Sequence, residues 1–202
     1  MVGSVAVLAL GCGGGTPRVS LAPPDKAPRH QDYDGIRNTW TRNARIIKQL
    51  DTTLRVHATL FSPEFSAAYL ARRTHMFWLS AETERELSRT LQEPGSKASV
   101  FFVAAAPIDS DWNDFDHKRS VWRIALVNDH GDQVDAAEIR EENRDAILEE
   151  LFPYFGHFHR AYRLSFPKVL PDGQPLVRGD TRSLALRFAG PLGQAELTWR
   201  LR

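Results

Sequence analysis

The residues best suited to chemistry lie in one short run, Asp109-Ser110-Asp111-Trp112-Asn113-Asp114-Phe115-Asp116, which sets four carboxylates within eight residues. Clustered carboxylate oxygens are the ligands that hard cations such as Ca²⁺ require. A second candidate is His157-Phe158-His159. Two histidines two apart on a strand project to one face, a spacing used in some zinc sites. The candidate metal ligands are therefore Asp109, Asp111, Asp116, His157 and His159.

Neither pattern is complete. Asp109, Asp111 and Asn113 resemble the opening positions of an EF-hand loop. Asp114 then stands where that loop needs glycine, and Ser120 where it needs a bidentate glutamate. The plainer expectation is an acidic surface loop whose side chains cap turns while Trp112 and Phe115 pack inward. The histidine pair lacks a third and fourth ligand; His117, Asp129 and His130 exist, but nothing in the sequence brings them near. A nucleophile elbow, Gly-x-Ser-x-Gly, is absent, as are a phosphate-cradling loop and a dinucleotide fingerprint.

The N-terminus carries a different kind of chemistry. Residues 2–11 form an apolar run too short to span a bilayer, and they end in Ala9-Leu10-Gly11-Cys12. This tetrad resembles the lipobox of bacterial lipoproteins. The resemblance implies cleavage before Cys12, the only cysteine, and a diacylglycerol on its thiol. A small residue such as Gly11 suits the narrow peptidase pocket. Gly13 in place of aspartate implies an outer-membrane lipoprotein facing the periplasm or the cell surface. Residues 1–11 are then a signal segment and 12–32 the lipidated cysteine with a flexible tether. Gly13 to Gly15 and four prolines within residues 17–28 favour an extended, mobile chain there. Residues 13–31 would reach at most about 60 Å at polyproline spacing.

Residues 33–202 read as one globular domain. With 42% hydrophobic residues, 25% charged and a net charge of +1, the chain can build a core and has no general attraction to nucleic acid. From Asp132 to Glu150, eight acidic residues face only Arg140 and Arg144, which reads as a solvated acidic helix face.

Periodicity supplies the elements. Leu54, Val56, Ala58 and Leu60 alternate with polar residues as in a half-buried strand. Ser62-Pro63-Glu64 starts a helix, Ser80 starts another, and Pro94-Gly95 is expected to end it. Residues 99–105, 121–127 and 160–166 read as strands, and residues 141–152 as a short helix. The segment around Ile36, Trp40, Ile47 and Leu50 fits either a helix or a strand. Leu184, Leu186 and Phe188 oppose Leu197, Trp199 and Leu201 across Gly190-Pro191-Leu192-Gly193, a hairpin pattern.

The expected fold is mainly β (α+β): an antiparallel β-sandwich with a helical insertion near 62–93 and a short helix near 141–152. The expected function is that of a membrane-anchored cell-envelope lipoprotein whose domain is a non-enzymatic binding or assembly module. Its partners would be the membrane, through the lipid, and an envelope protein; beyond the diacylglycerol no cofactor is expected. The alternative is a metal-dependent (Ca or Zn) enzyme or metal-binding module of the envelope.

Overall fold

The computed structural model describes residues 16–48 and 51–202, so Cys12 and Leu50 lie outside the described residues. The chain runs β1 (Arg18–Val19), α1 (Tyr33–Trp40), β2 (Thr41–Lys48), β3 (Asp51–Leu60), α2 (Pro63–Phe77), α3 (Ala81–Lys97) and β4 (Ala98–Pro107). It continues through β5 (Arg123–Asn128), β6 (Gln133–Asp135), β7 (Glu138–Glu142), α4 (Ala146–Leu151), β8 (Arg160–Pro167), β9 (Ser183–Gly190) and β10 (Gly193–Leu201).

Two five-stranded sheets form, in the orders β1-β10-β9-β5-β6 and β2-β3-β4-β8-β7. Every pairing is antiparallel except β1 with β10. The sandwich and its antiparallel character are those expected from the strand patterns. Aromatic residues join the sheets: Trp199 of β10 meets Phe101 of β4 at 5.3 Å between ring centroids. Phe115 lies 5.5 Å from Phe188 of β9 and 5.0 Å from Tyr162 of β8. At one edge the buried Arg42 of β2 donates from Nε to the Thr198 carbonyl of β10 at 2.9 Å.

The second sheet is covered on both faces. Val100 to Ala105 of β4 are all buried, which explains why that stretch is apolar without alternation. The β3 register sets Leu60 beside Phe101 and Ala58 beside Val103, on the face toward the first sheet. Phe102 points the other way and stacks on Phe152 at 3.9 Å. Around that pair α2 and residues 152–155 build a roof, with Phe65, Tyr69 and Phe61 completing the aromatic cluster.

Local signals act as read at several points. The Ser62 hydroxyl accepts from the Phe65 amide at 3.0 Å and caps α2, with Pro63 in its first turn. Gly131, in the β5–β6 turn, has φ 90°. At Gly193, φ 135°, an added Cβ would lie 2.5 Å from Ile46 Cγ2, so the β9–β10 turn needs glycine for space as well as for conformation. The ambiguous segment holds both elements, helix α1 followed directly by strand β2.

Three readings are corrected. The helix expected over 141–152 is only Ala146–Leu151, because the Asp145 carboxylate accepts from the Leu148 amide at 2.7 Å and starts it there. Residues Glu138–Glu142 are instead the edge strand β7, tied to β8 by Arg163 Nε donating to Glu142 at 2.8 Å. Part of the presumed helix face is thus a charged sheet edge, which discourages pairing with other chains. Helix α3 also runs past Pro94-Gly95 to Lys97 and leads straight into β4.

Phe102→Ala removes the centre of the roof contact and is expected to destabilise the domain by about 3–5 kcal/mol. Urea unfolding would show a lower midpoint at unchanged slope; a loss below about 1 kcal/mol would contradict burial of that sheet on both faces.

Candidate functional site

The acidic loop is organised by an amide. The buried Asn113 donates from Nδ2 to the Ala105 carbonyl at 3.0 Å, and its own carbonyl accepts from the Tyr162 hydroxyl at 2.7 Å and from Arg160 at 3.1 Å. Asp109 accepts from the Asp111 amide at 2.9 Å, and Asp114 accepts from the Ser120 hydroxyl at 2.8 Å. Asp109, Asp111 and Asp116 are exposed, while Phe115 packs inward. Among the described residues no group of three His, Cys, Asp or Glu converges to hold an ion.

The histidines are not on a strand. His157 and Phe158 occupy a turn before β8, closed by the His159 amide donating to the Gly156 carbonyl at 3.0 Å. His157 is exposed, whereas His159 tucks against His57 of β3 at 5.9 Å, edge to face. The two residues of the pair therefore do not share a face. His57 in turn stacks on Tyr154 at 5.1 Å.

Tyr154 ends a directed chain of hydroxyls. Thr41 donates to the Arg37 carbonyl at 2.7 Å, so its contact with Thr59, 2.6 Å, must be one in which Thr59 donates. Thr59 has then spent its proton, and Tyr154 donates to it at 2.6 Å. Burial raises the tyrosine's pKa, outweighing its hydrogen bond to Thr59, and keeps the phenol neutral. Burial, then His159, Arg55 and Arg45, lower His57 to about 4. This cluster ties the roof to the sheet.

Open space lies elsewhere. A cavity of about 730 Å³ opens where the roof stops short of the β3 and β4 ends, within the range of small-molecule sites. Its floor is Leu60 and Phe61 with Ala98 and Ser99. Helix α2 turns one side, Phe65, Ala68 and Tyr69, into the core and presents the other, Ser66, Ala67 and Leu70, to the cavity. Helix α3 contributes Ser88, Leu91 and Gln92. None of the described residues of α3 is fully buried; Leu91 is half-buried, packing against the edge of the core while also lining the cavity.

The remaining walls come from the segment between β8 and β9 and from the residues after β1. Pro175, Leu176 and Val177 follow a small turn pinned by the Leu176 amide donating to the Lys168 carbonyl at 2.8 Å. Leu21, Pro23 and Pro24, within the segment read as tether, close another side. They are held there because Val19 is buried in β1 and accepts from the Arg202 amide at 3.0 Å. Lys168 stands at the rim, its ammonium donating to the Gly95 carbonyl and to no serine hydroxyl among the described residues. Burial lowers its pKa.

Sequence reasoning named none of these residues as a site. Five separate segments build the cavity, and each reads locally as ordinary helix, strand or loop. The one available signal was Leu87 and Leu91 on an otherwise polar α3, a stripe too narrow for a buried helix.

No family model, curated protein or solved structure matches this chain. No helix among the described residues is long and apolar enough to cross a membrane.

The depressed pKa of His57 links stability to pH. Between its ordinary value of 6.5 and about 4 the unfolded chain binds the proton and the folded one does not, so stability falls as pH drops through that window. His57→Phe keeps the stack on Tyr154 and removes the titration. Melting temperatures of the variant should decline less than those of the parent from pH 6.5 to 4; identical declines would show that His57 does not titrate as described.

Proposed function

We propose that this chain is a tethered lipoprotein of the cell envelope whose domain binds an apolar small molecule without turning it over. The observation that carries the binding reading is the cavity of about 730 Å³, walled by leucine, valine, proline and alanine side chains between α2, α3 and the ends of β3 and β4. Burying apolar surface there yields about 25 cal/mol per Å² removed from water. The half-buried inner face of α3 supports the same reading, because a ligand would complete the packing around Ser88 and Leu91.

The polar groups present suit positioning better than reaction. The described lining residues include serines, Gln92 and Lys168 but no histidine or carboxylate, so they offer no paired acid and base. The Ser62 hydroxyl already accepts the α2 amide, and Gln92 donates to Ser88 at 3.0 Å. The lipoprotein part of the reading rests on the lipobox-like Ala9-Leu10-Gly11-Cys12 and the glycines Gly13 to Gly15 behind it, since the prolines that follow are docked on the domain. An anchor at Cys12 would hold a hydrophobic-ligand domain close to the lipid surface where such ligands are found, with an outer-membrane placement and an envelope partner as the wider setting.

N-phenyl-1-naphthylamine, a neutral dye that brightens in apolar surroundings, should bind the full chain. Ala67→Trp, which places an indole in the cavity, should weaken that binding by about tenfold or more, roughly 1.4 kcal/mol. Unchanged affinity in a folded Ala67→Trp protein, or no binding by the parent, would refute the cavity as the site. Separately, labelled palmitate should be incorporated in a bacterial host and lost in Cys12→Ala; incorporation by neither protein would remove the anchor.

A further inference from the structure

Among the described residues, the cavity lining carries one charge. Every described lining side chain is neutral except Lys168, which is exposed to solvent while Leu60 and Leu176 of the same lining are buried. An apolar chamber with a single cation at its mouth sorts ligands by their ends: it takes the uncharged end inward and holds a charged end outside. Resting on the reading of this cavity as a ligand site, we infer that the ligand is a single-chain amphiphile with an anionic head, its acyl chain between α2 and α3 and its head on Lys168.

The geometry of Lys168 fits that role. It follows β8 directly, so its backbone is fixed, and its carbonyl is held by the Leu176 amide at 2.8 Å. Its Nζ donates to the Gly95 carbonyl near the α3 C-terminus, and no carboxylate among the described residues forms a salt bridge with it. An ammonium has three donors. One is spent on Gly95, and two remain for the oxygens of a carboxylate. The nearby Gly95 carbonyl also orients the ammonium, so less side-chain freedom is lost when the anion arrives. The partial desolvation that disfavours the bare ammonium is relieved by an anion, which makes head-group binding and retention of the lysine proton mutually reinforcing.

The neighbours of Lys168 do not offer a competing role. The serines of the lining are uncharged and would accept or donate to either head group equally. Among the described lining residues, discrimination between an acid and an alcohol of the same chain length therefore falls to Lys168.

The test is calorimetric titration of the full chain with decanoate, with decyl phosphate and with decanol, repeated on Lys168→Met and Lys168→Arg. Methionine keeps the length and apolar character of the stem and removes the charge. The parent should bind decanoate about tenfold tighter than decanol, a charge-assisted hydrogen bond's worth. Lys168→Met should abolish that preference while its decanol affinity stays within about twofold of the parent's, and Lys168→Arg should keep it. A stronger response to decyl phosphate than to decanoate, also lost in Lys168→Met, would assign the head as a phosphate ester and still support an anionic head. Equal binding of acid and alcohol by the parent, or equal weakening of both in Lys168→Met, would overturn the inference and leave the cavity reading standing. Binding of none of the three by the parent would end both.

Discussion

The structure depends on a sheet that has no solvent face at its centre. Strand β4 buries Phe101 and Val103 against the other sheet and Phe102 and Ala104 beneath the helices. A sheet in that position needs a second cover, and here it is an aromatic roof whose keystone is the stack of Phe102 on Phe152 at 3.9 Å. Several features follow from the roof. Ser62 caps α2 at the point where the chain leaves β3 to begin the cover. The hydroxyl chain from Tyr154 to Arg37 ties the roof to the sheet, and Glu142, which burial would raise but which Arg163 and Arg140 keep ionised, fastens the β7 edge.

The roof covers only part of the sheet. Near Ala98 and Ser99 it is replaced by α3, a helix whose described residues include none that is buried. A helix forms there because residues 81–92 are rich in glutamate, arginine and leucine, good helix formers that need little tertiary support. The cavity is the geometric consequence: a stable helix that touches α2 and continues directly into β4 but has no fully buried face among its described residues.

Much of this fold was legible in the sequence wherever one local rule decided the outcome. Alternation placed β3, the unbroken apolar run placed β4, and glycine spacing placed the β9–β10 hairpin. The failures came where tertiary contacts overrode a local pattern. Glu138–Glu142 carry charges on both sides and lack strand alternation, yet they pair with β8 because arginine partners wait there. Pro94-Gly95 looked like a stop, but helix α3 continues through it to Lys97. The site was hidden for a different reason. Asp109 to Asp116 and His157-Phe158-His159 drew attention by residue type, whereas the cavity is made of leucines, alanines and prolines whose meaning lies in their convergence from five segments.

The central claim is that the space beneath α3 is an interior awaiting an apolar occupant. Hydrogen exchange of the full chain, with and without excess decanoate, tests it most directly, because α3 is the element whose packing a ligand would complete. The expected result is slower exchange across the amides of Ala81–Lys97 with the β9–β10 hairpin unchanged. Exchange in α3 that stays as fast with decanoate as without it would contradict the claim.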